Sequence, residues 1–311
     1  MLRVRKQIGC TDEIVRACVG GVSYENAIRV AILDTGISHH PDFEDRIEDF
    51  SDFTQKGKGV YDDSGHGTHV AGCIGGSGRA SEGMYRGICP CVRLIVGKVL
   101  DKNGDGCIED MCRGMDWVLQ NQKKYKIRIL NISIGIGHIS DESRMGELLE
   151  KVDEAWDSGL VVVCAAGNLG PAPMSISPLG ASKKVITVGC HEGGYFPGKR
   201  SLCEDYSGRG PTPYAVKKPD VVAPGTDIIS CSSTCRSTFR GYKNAYIKKS
   251  GTSMATPIVS GAAALLLQRY PQLTNEQVKR KINYSATDMN EPWTKQGWGM
   301  VNIPRLIKIA Y

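Results

Sequence analysis

A chain of 311 residues, 41% hydrophobic and 23% charged, is long enough to bury a sizeable core, and no apolar run approaches the roughly 18 residues of a membrane span. The formal charge of +6 is mild, and apart from Arg3-Val4-Arg5-Lys6 the basic residues are scattered, which favours a solvated surface and argues against nucleic-acid binding. The first ten residues carry charge with no apolar stretch behind it, so they do not read as an export signal.

Residues 1–27 read as a short polar lead-in, with Thr11 capping one helix that Gly20-Gly21 ends. Residues 28–33 form a β-branched run of strand length that stops at the turn signal Asp34-Thr35-Gly36. A polar loop rich in Asp and Gly leads to His66-Gly67-Thr68-His69-Val70-Ala71-Gly72, which predicts a helix of small residues that other backbone can approach closely. Strands are then predicted over 92–99, 127–134, 160–166 and 184–190. Between them, Ile108, Met111, Met115, Val118 and Leu119 fall on one helix face, as do Met145, Leu148, Leu149, Val152 and Trp156. Near-continuous Val/Ile/Leu strands alternating with amphipathic helices predict an α/β fold of three layers, a mostly parallel central sheet with helices on both faces.

The last third is irregular. It is rich in Gly, Pro and Ser over 193–225, then basic and polar up to Lys249. Gly251-Thr252-Ser253-Met254-Ala255-Thr256-Pro257 then runs into 258–267, apolar almost all the way round and so a buried helix. Pro257 reads as a first-turn proline of that helix. A final helix begins at Thr274, with a capping box to Gln277 and a staple of Leu273 on Val278. No repeat, low-complexity segment or linker divides the chain, which leaves one domain over 28–311 behind the lead-in.

Twelve cysteines need an account. Several replace core residues, as Cys164 and Cys190 do inside strand runs, and free Cys behaves as a small buried hydrophobe. Most of them read as reduced core thiols of a cytosolic protein. Cys89-Pro90-Cys91 and Cys231 with Cys235 could begin a zinc site, but no CxxC pair completes one.

Ser253 is the polar exception at the mouth of the most buried helix, where free N–H groups and the dipole favour an oxyanion. A serine nucleophile needs a base, and the base an orienter. Among six histidines, His66 opens a glycine-flanked helix, and Asp34 stands at the carboxyl end of the first strand, where open α/β sheets place their sites. His69 reads as structural.

These blocks, with Asn131-Ile132-Ser133-Ile134-Gly135, Ala165-Ala166-Gly167-Asn168 and Lys218-Pro219-Asp220-Val221-Val222-Ala223-Pro224-Gly225, resemble the signature segments of the subtilisin-like serine proteases in their order. The resemblance covers about residues 28 to 305 and implies a serine endopeptidase that acts on a peptide or protein substrate. It implies Ser253 as nucleophile, His66 as general base, Asp34 as its orienter and Asn168 as side-chain donor to the oxyanion. It implies that the substrate lies extended between Gly104-Asp105-Gly106 and Ser133-Ile134-Gly135. Ala165 and Gly167 would line a pocket open to a large apolar side chain. No cofactor is needed for the chemistry. Asp42 matches the family's calcium carboxylate, but the partner loop 75–83 departs from the usual pattern by containing Arg79, so structural calcium stays an open alternative. Asp101-Lys102-Asn103-Gly104-Asp105-Gly106 imitates an EF-hand but has Cys112 where a bidentate Glu is required.

The rival reading is a catalytically silent peptide-binding or scaffold module on the same fold, which would lack a triad member. Secreted relatives carry a long pro-domain, whereas about 33 residues precede Asp34 here, so the resemblance points to an intracellular, cytoplasmic member. A short N-terminal segment lying in the cleft is one way in which such a member would be held inactive. The oligomeric state is not legible.

Overall fold

The structure, a computed structural model, describes residues 1–54, 59–134, 142–194, 202–214 and 216–308. Its centre is a parallel sheet of seven strands: β1 (Arg29–Asp34), β2 (Ile47–Asp52), β3 (Arg93–Lys98), β4 (Ile127–Ile132), β5 (Val161–Ala165), β6 (Ile186–Cys190) and β7 (Val221–Ala223). Their spatial order is β2-β3-β1-β4-β5-β6-β7. Every residue of β1, β3, β5 and β6 is buried, as strands covered on both faces must be.

The helices are α1 (Leu2–Gln7), α2 (Asp12–Val19), α3 (His66–Gly75), α4 (Ile108–Tyr125), α5 (Glu142–Asp157), α6 (Cys203–Tyr206), α7 (Thr252–Arg269), α8 (Asn275–Ser285), α9 (Trp293–Gln296) and α10 (Ile303–Lys308). Helices α4 and α5 pack on each other and on β1, β4 and β5, while α7 lies along β4 to β7 and against α3. All but the last two residues of α7 are buried, which accounts for its lack of a polar face. The Thr274 capping box forms as expected, and Leu273 and Val278 are both buried.

Three expectations change. The lead-in is not a polar appendage: besides the α2 that Thr11 caps, it forms α1, and it buries Met1, Val4, Ile8, Cys10, Val15 and Cys18 in the main core. Met1, Val4 and Ile8 share one helix face, and charged neighbours hide that spacing. Among the described residues its hydrogen-bond partners include Ile88, Glu192, Thr226, Ile229 and Ile303, none of them a predicted site residue. Second, the loop before His66 contains β2, a half-buried edge strand. Third, the irregular region supplies β7 and four short strands, β8 (Ile228–Cys231), β9 (Arg236–Thr238), β10 (Gly241–Lys243) and β11 (Tyr246–Lys249). These pair antiparallel, β9 with β10 and β8 with β11.

Candidate active site

The predicted residues gather at the carboxyl ends of neighbouring parallel strands. Asp34 ends β1, residues 101–106 follow β3, Ser133 and Ile134 follow β4, and Ala165 ends β5 just before Gly167 and Asn168. Gly135 lies outside the described residues.

Asp34 is fully buried, and His66 Nδ1 lies 2.6 Å from its Oδ1. A carboxylate can only accept, so Nδ1 carries the proton and Nε2 is left as the basic nitrogen. The Thr35 N–H donates to the same Oδ1 at 2.8 Å, while Oδ2 is buried and takes no hydrogen bond. Burial, the largest influence on His66, pushes its pKa down, but the Asp34 charge and hydrogen bond outweigh it and leave the pKa raised above 6.5. His69, one turn on, plays the structural part expected of it: Nε2 donates to the Ile228 carbonyl at 2.9 Å, and burial pushes its pKa down to about 3.

Sequence reasoning missed the residue that holds this turn together. Asp62 is buried; its Oδ1 accepts from Thr35 Oγ1 and the Ser64 and Gly65 N–H groups, and its Oδ2 from the Thr68 N–H and Oγ1. Thr35 Oγ1 in turn accepts from the Gly67 N–H at 2.9 Å, locking the end of β1 to the start of α3. The available signal was an Asp four residues before His66 at a helix start.

Ser253 is the second residue of α7, after Gly251 and Thr252, and is 9% exposed. Gly251, at φ 147°, is the N-cap of α7. Pro257 is corrected: it lies inside the helix, past the first turn. It therefore withholds the N–H that would reach the Ser253 carbonyl four residues back.

Asn168 is exposed beside this turn, with its Oδ1 accepting from both the Thr252 N–H and Oγ1 at 3.0 Å. Its orientation is thereby set, and Nδ2 remains a free donor. Glu192, also missed, is fully buried and accepts from the Gly225 and Thr226 N–H groups and from Arg3 of α1. The Gly225 carbonyl accepts from the Gly251 N–H at 3.0 Å, so this carboxylate braces the turn that presents Ser253.

The substrate-lining segments are held from behind. Asp101 Oδ1 accepts from the Asn103 and Asp105 N–H groups, which rounds the exposed turn of Gly104, Asp105 and Gly106 and leaves no EF-hand geometry. Asn131 donates to Ser133 Oγ at 2.8 Å and accepts from Ser260 of α7 at 2.7 Å. Ile134 is 8% exposed. The Ala165 carbonyl accepts from Ser177 Oγ, and that of Gly167 (φ 89°) from the Gly208 N–H.

Asp42 does not fit calcium. Its Oδ1 accepts from the Ala80 N–H and Tyr246 O–H, and its Oδ2 from the Gly78 N–H, the same Tyr246 O–H and Cys231 Sγ. A cation needs oxygen ligands where these donors point. His40 and Cys231 stand close enough to make a metal-sized group with Asp42. However, His40 Nδ1 accepts from the Asp42 N–H at 3.0 Å and Nε2 faces the Ala245 carbonyl at 2.7 Å, so neither nitrogen is spare. All twelve cysteines are free thiols.

With this geometry in place, comparison with known proteins is informative. The family model described as "Subtilase family" matches residues 25–299. The chain is 41% identical over 287 residues to serine protease AprX of Bacillus subtilis (strain 168), covering 88% of this chain and 65% of that protein. It is 33% identical to subtilisin BL of Lederbergia lenta, covering 89% of each. Among solved structures, sphericase superposes with a TM-score of 0.76 at 26% identity, over 93% of this chain and 97% of that one.

Proposed function

The chain belongs to the subtilase family of serine endopeptidases, and on that premise we propose that Ser253, His66, Asp34 and Asn168 are its working residues. The observation that carries this is the Asp34–His66 hydrogen bond, which directs the basic nitrogen outward. Ser253 Oγ attacks the scissile carbonyl carbon as His66 Nε2 takes its proton. The carbonyl oxygen becomes an oxyanion, met by the free Nδ2 of Asn168 and the Ser253 N–H at the positive end of α7. His66 returns the proton to the leaving amine, the C–N bond breaks, and the acyl group stays on Ser253. Water then attacks with His66 again as base, releasing the acid and restoring the serine.

The substrate lies extended between residues 104–106 and 133–134, with the side chain before the scissile bond directed into the pocket bordered by Ala165 and Gly167. Small walls suit a large apolar or aromatic residue. Asp42 serves as a structural acceptor for protein donors. The free thiols support a reducing, cytoplasmic setting. The test is cleavage of a peptide library read by mass spectrometry: internal cuts after large apolar residues are expected, and cuts confined to chain ends or after charged residues would refute the reading.

A further inference from the structure

Residues 232–249 carry Arg236, Arg240, Lys243, Lys248 and Lys249 and no Asp or Glu, in a chain whose whole formal charge is +6. The antiparallel register of β9 and β10 sets Arg236 directly opposite Lys243. Like charges facing across a ladder destabilise it, so this pair is not there to fold the hairpin. Among the described residues the only ion pair of the segment is Lys248 with Asp227, exposed and 3.7 Å apart. At the hairpin tip Phe239 is fully exposed (105%), with Tyr242 and Ile247 exposed nearby. An unpaired basic surface around an uncovered aromatic ring is a recognition surface in search of an anionic, partly apolar partner.

The arm is rooted at the reacting centre. At its base, Ser233 Oγ comes within 2.7 Å of where a Cβ on Gly65, the residue before His66, would stand. At its other end β11 stops at Lys249, four residues before Ser253, and β11 pairs with β8, whose Ile228 carbonyl holds His69. The acyl half of a substrate occupies the ends of β3, β4 and β5. The leaving amine takes its proton from His66 and so departs on the side where the arm begins. We propose that residues 232–249 form a docking arm for an acidic polypeptide segment on the leaving-group side of the scissile bond. Arg236, Arg240 and Lys243 meet its carboxylates, and Phe239 covers an apolar residue among them. This rests on the reading of Ser253 given above.

The test uses two quenched peptides identical through the scissile bond, one with several aspartates in the leaving half and one with asparagines. The wild-type chain should favour the acidic peptide in kcat/KM on the order of tenfold at low salt, a ratio that collapses as salt screens it. The triple variant Arg236→Gln, Arg240→Gln, Lys243→Gln should bring the ratio close to one and cut the neutral peptide at the wild-type rate, with an unchanged Tm. Equal cleavage of both peptides by wild type, or a ratio that survives in the variant, overturns the proposal. So does binding to RNA or anionic vesicles that the variant loses while the peptide ratio stays at one, since the arm then serves that partner. A wild-type chain that cuts neither peptide refutes the assignment of Ser253 itself, a failure distinct from cleavage without preference.

Discussion

At the scale of single residues, the role proposed for His66 sets two demands against each other. As a base it must be neutral, yet Asp34, whose second oxygen has no donor, gains by the imidazolium and raises the pKa above 6.5. A raised folded-state pKa contributes stability that is fully present below pH 6.5 and lost as pH rises through the folded value, so the active form is the one without it. The acid limb of kcat/KM should therefore have its midpoint above pH 6.5. In Asp34→Asn the same imidazole, followed by NMR titration, should fall below its wild-type value, because burial, the largest influence on it, is then no longer outweighed by the Asp34 charge. A wild-type midpoint at or below 6.5 would contradict this balance. Asp34, His66, Ser253 and Asn168 could be proposed from the sequence because each stands in a short block whose glycines and small residues have one reading in that order. Asp62 and Glu192 were not, because a lone acid in a loop shows its value only when the donors from distant segments converge on it.

At the scale of elements, α3 must let backbone come close. A Cβ on Gly67 would stand 2.1 Å from the Gly36 carbonyl oxygen, and one on Gly72 2.4 Å from Ser230 Oγ. Gly67→Ala should therefore push α3 off β1, costing about 1–3 kcal/mol of stability by overpacking and displacing His66 with it. Denaturant melts paired with kcat check this; wild-type stability and rate in that variant would show that the contact is not tight. Strands β1, β3, β4, β5 and β6 could be read because burial on both faces writes a continuous aliphatic run. The edge strand β2, Ile47-Glu48-Asp49-Phe50-Ser51-Asp52, escaped because a half-exposed edge keeps its polar residues. The strands β7 to β11 are three or four residues long, too short for any period to show.

At the scale of the molecule, the site is braced from two directions. The N-terminal helix reaches the turn before Ser253 through Arg3, Glu192 and Gly225, and α7 fixes Ser133 through Ser260 and Asn131. On the far side, Tyr246 and the turn around Gly78 supply Asp42 with protein donors. Stability should accordingly ignore calcium: Tm in a chelator and in millimolar calcium should agree within about 1 °C, whereas a rise of several degrees with calcium would mean that a bound ion contributes by mass action. The central claim is that Ser253 attacks. Labelling with a fluorophosphonate probe, alongside peptide hydrolysis by wild type and Ser253→Ala, tests it most directly. The account predicts one label, on Ser253, and a variant that melts like the parent but neither labels nor cleaves, its rate down on the order of 10⁶-fold as for the corresponding serine of subtilisin. A Ser253→Ala chain that still cleaves peptides would contradict it.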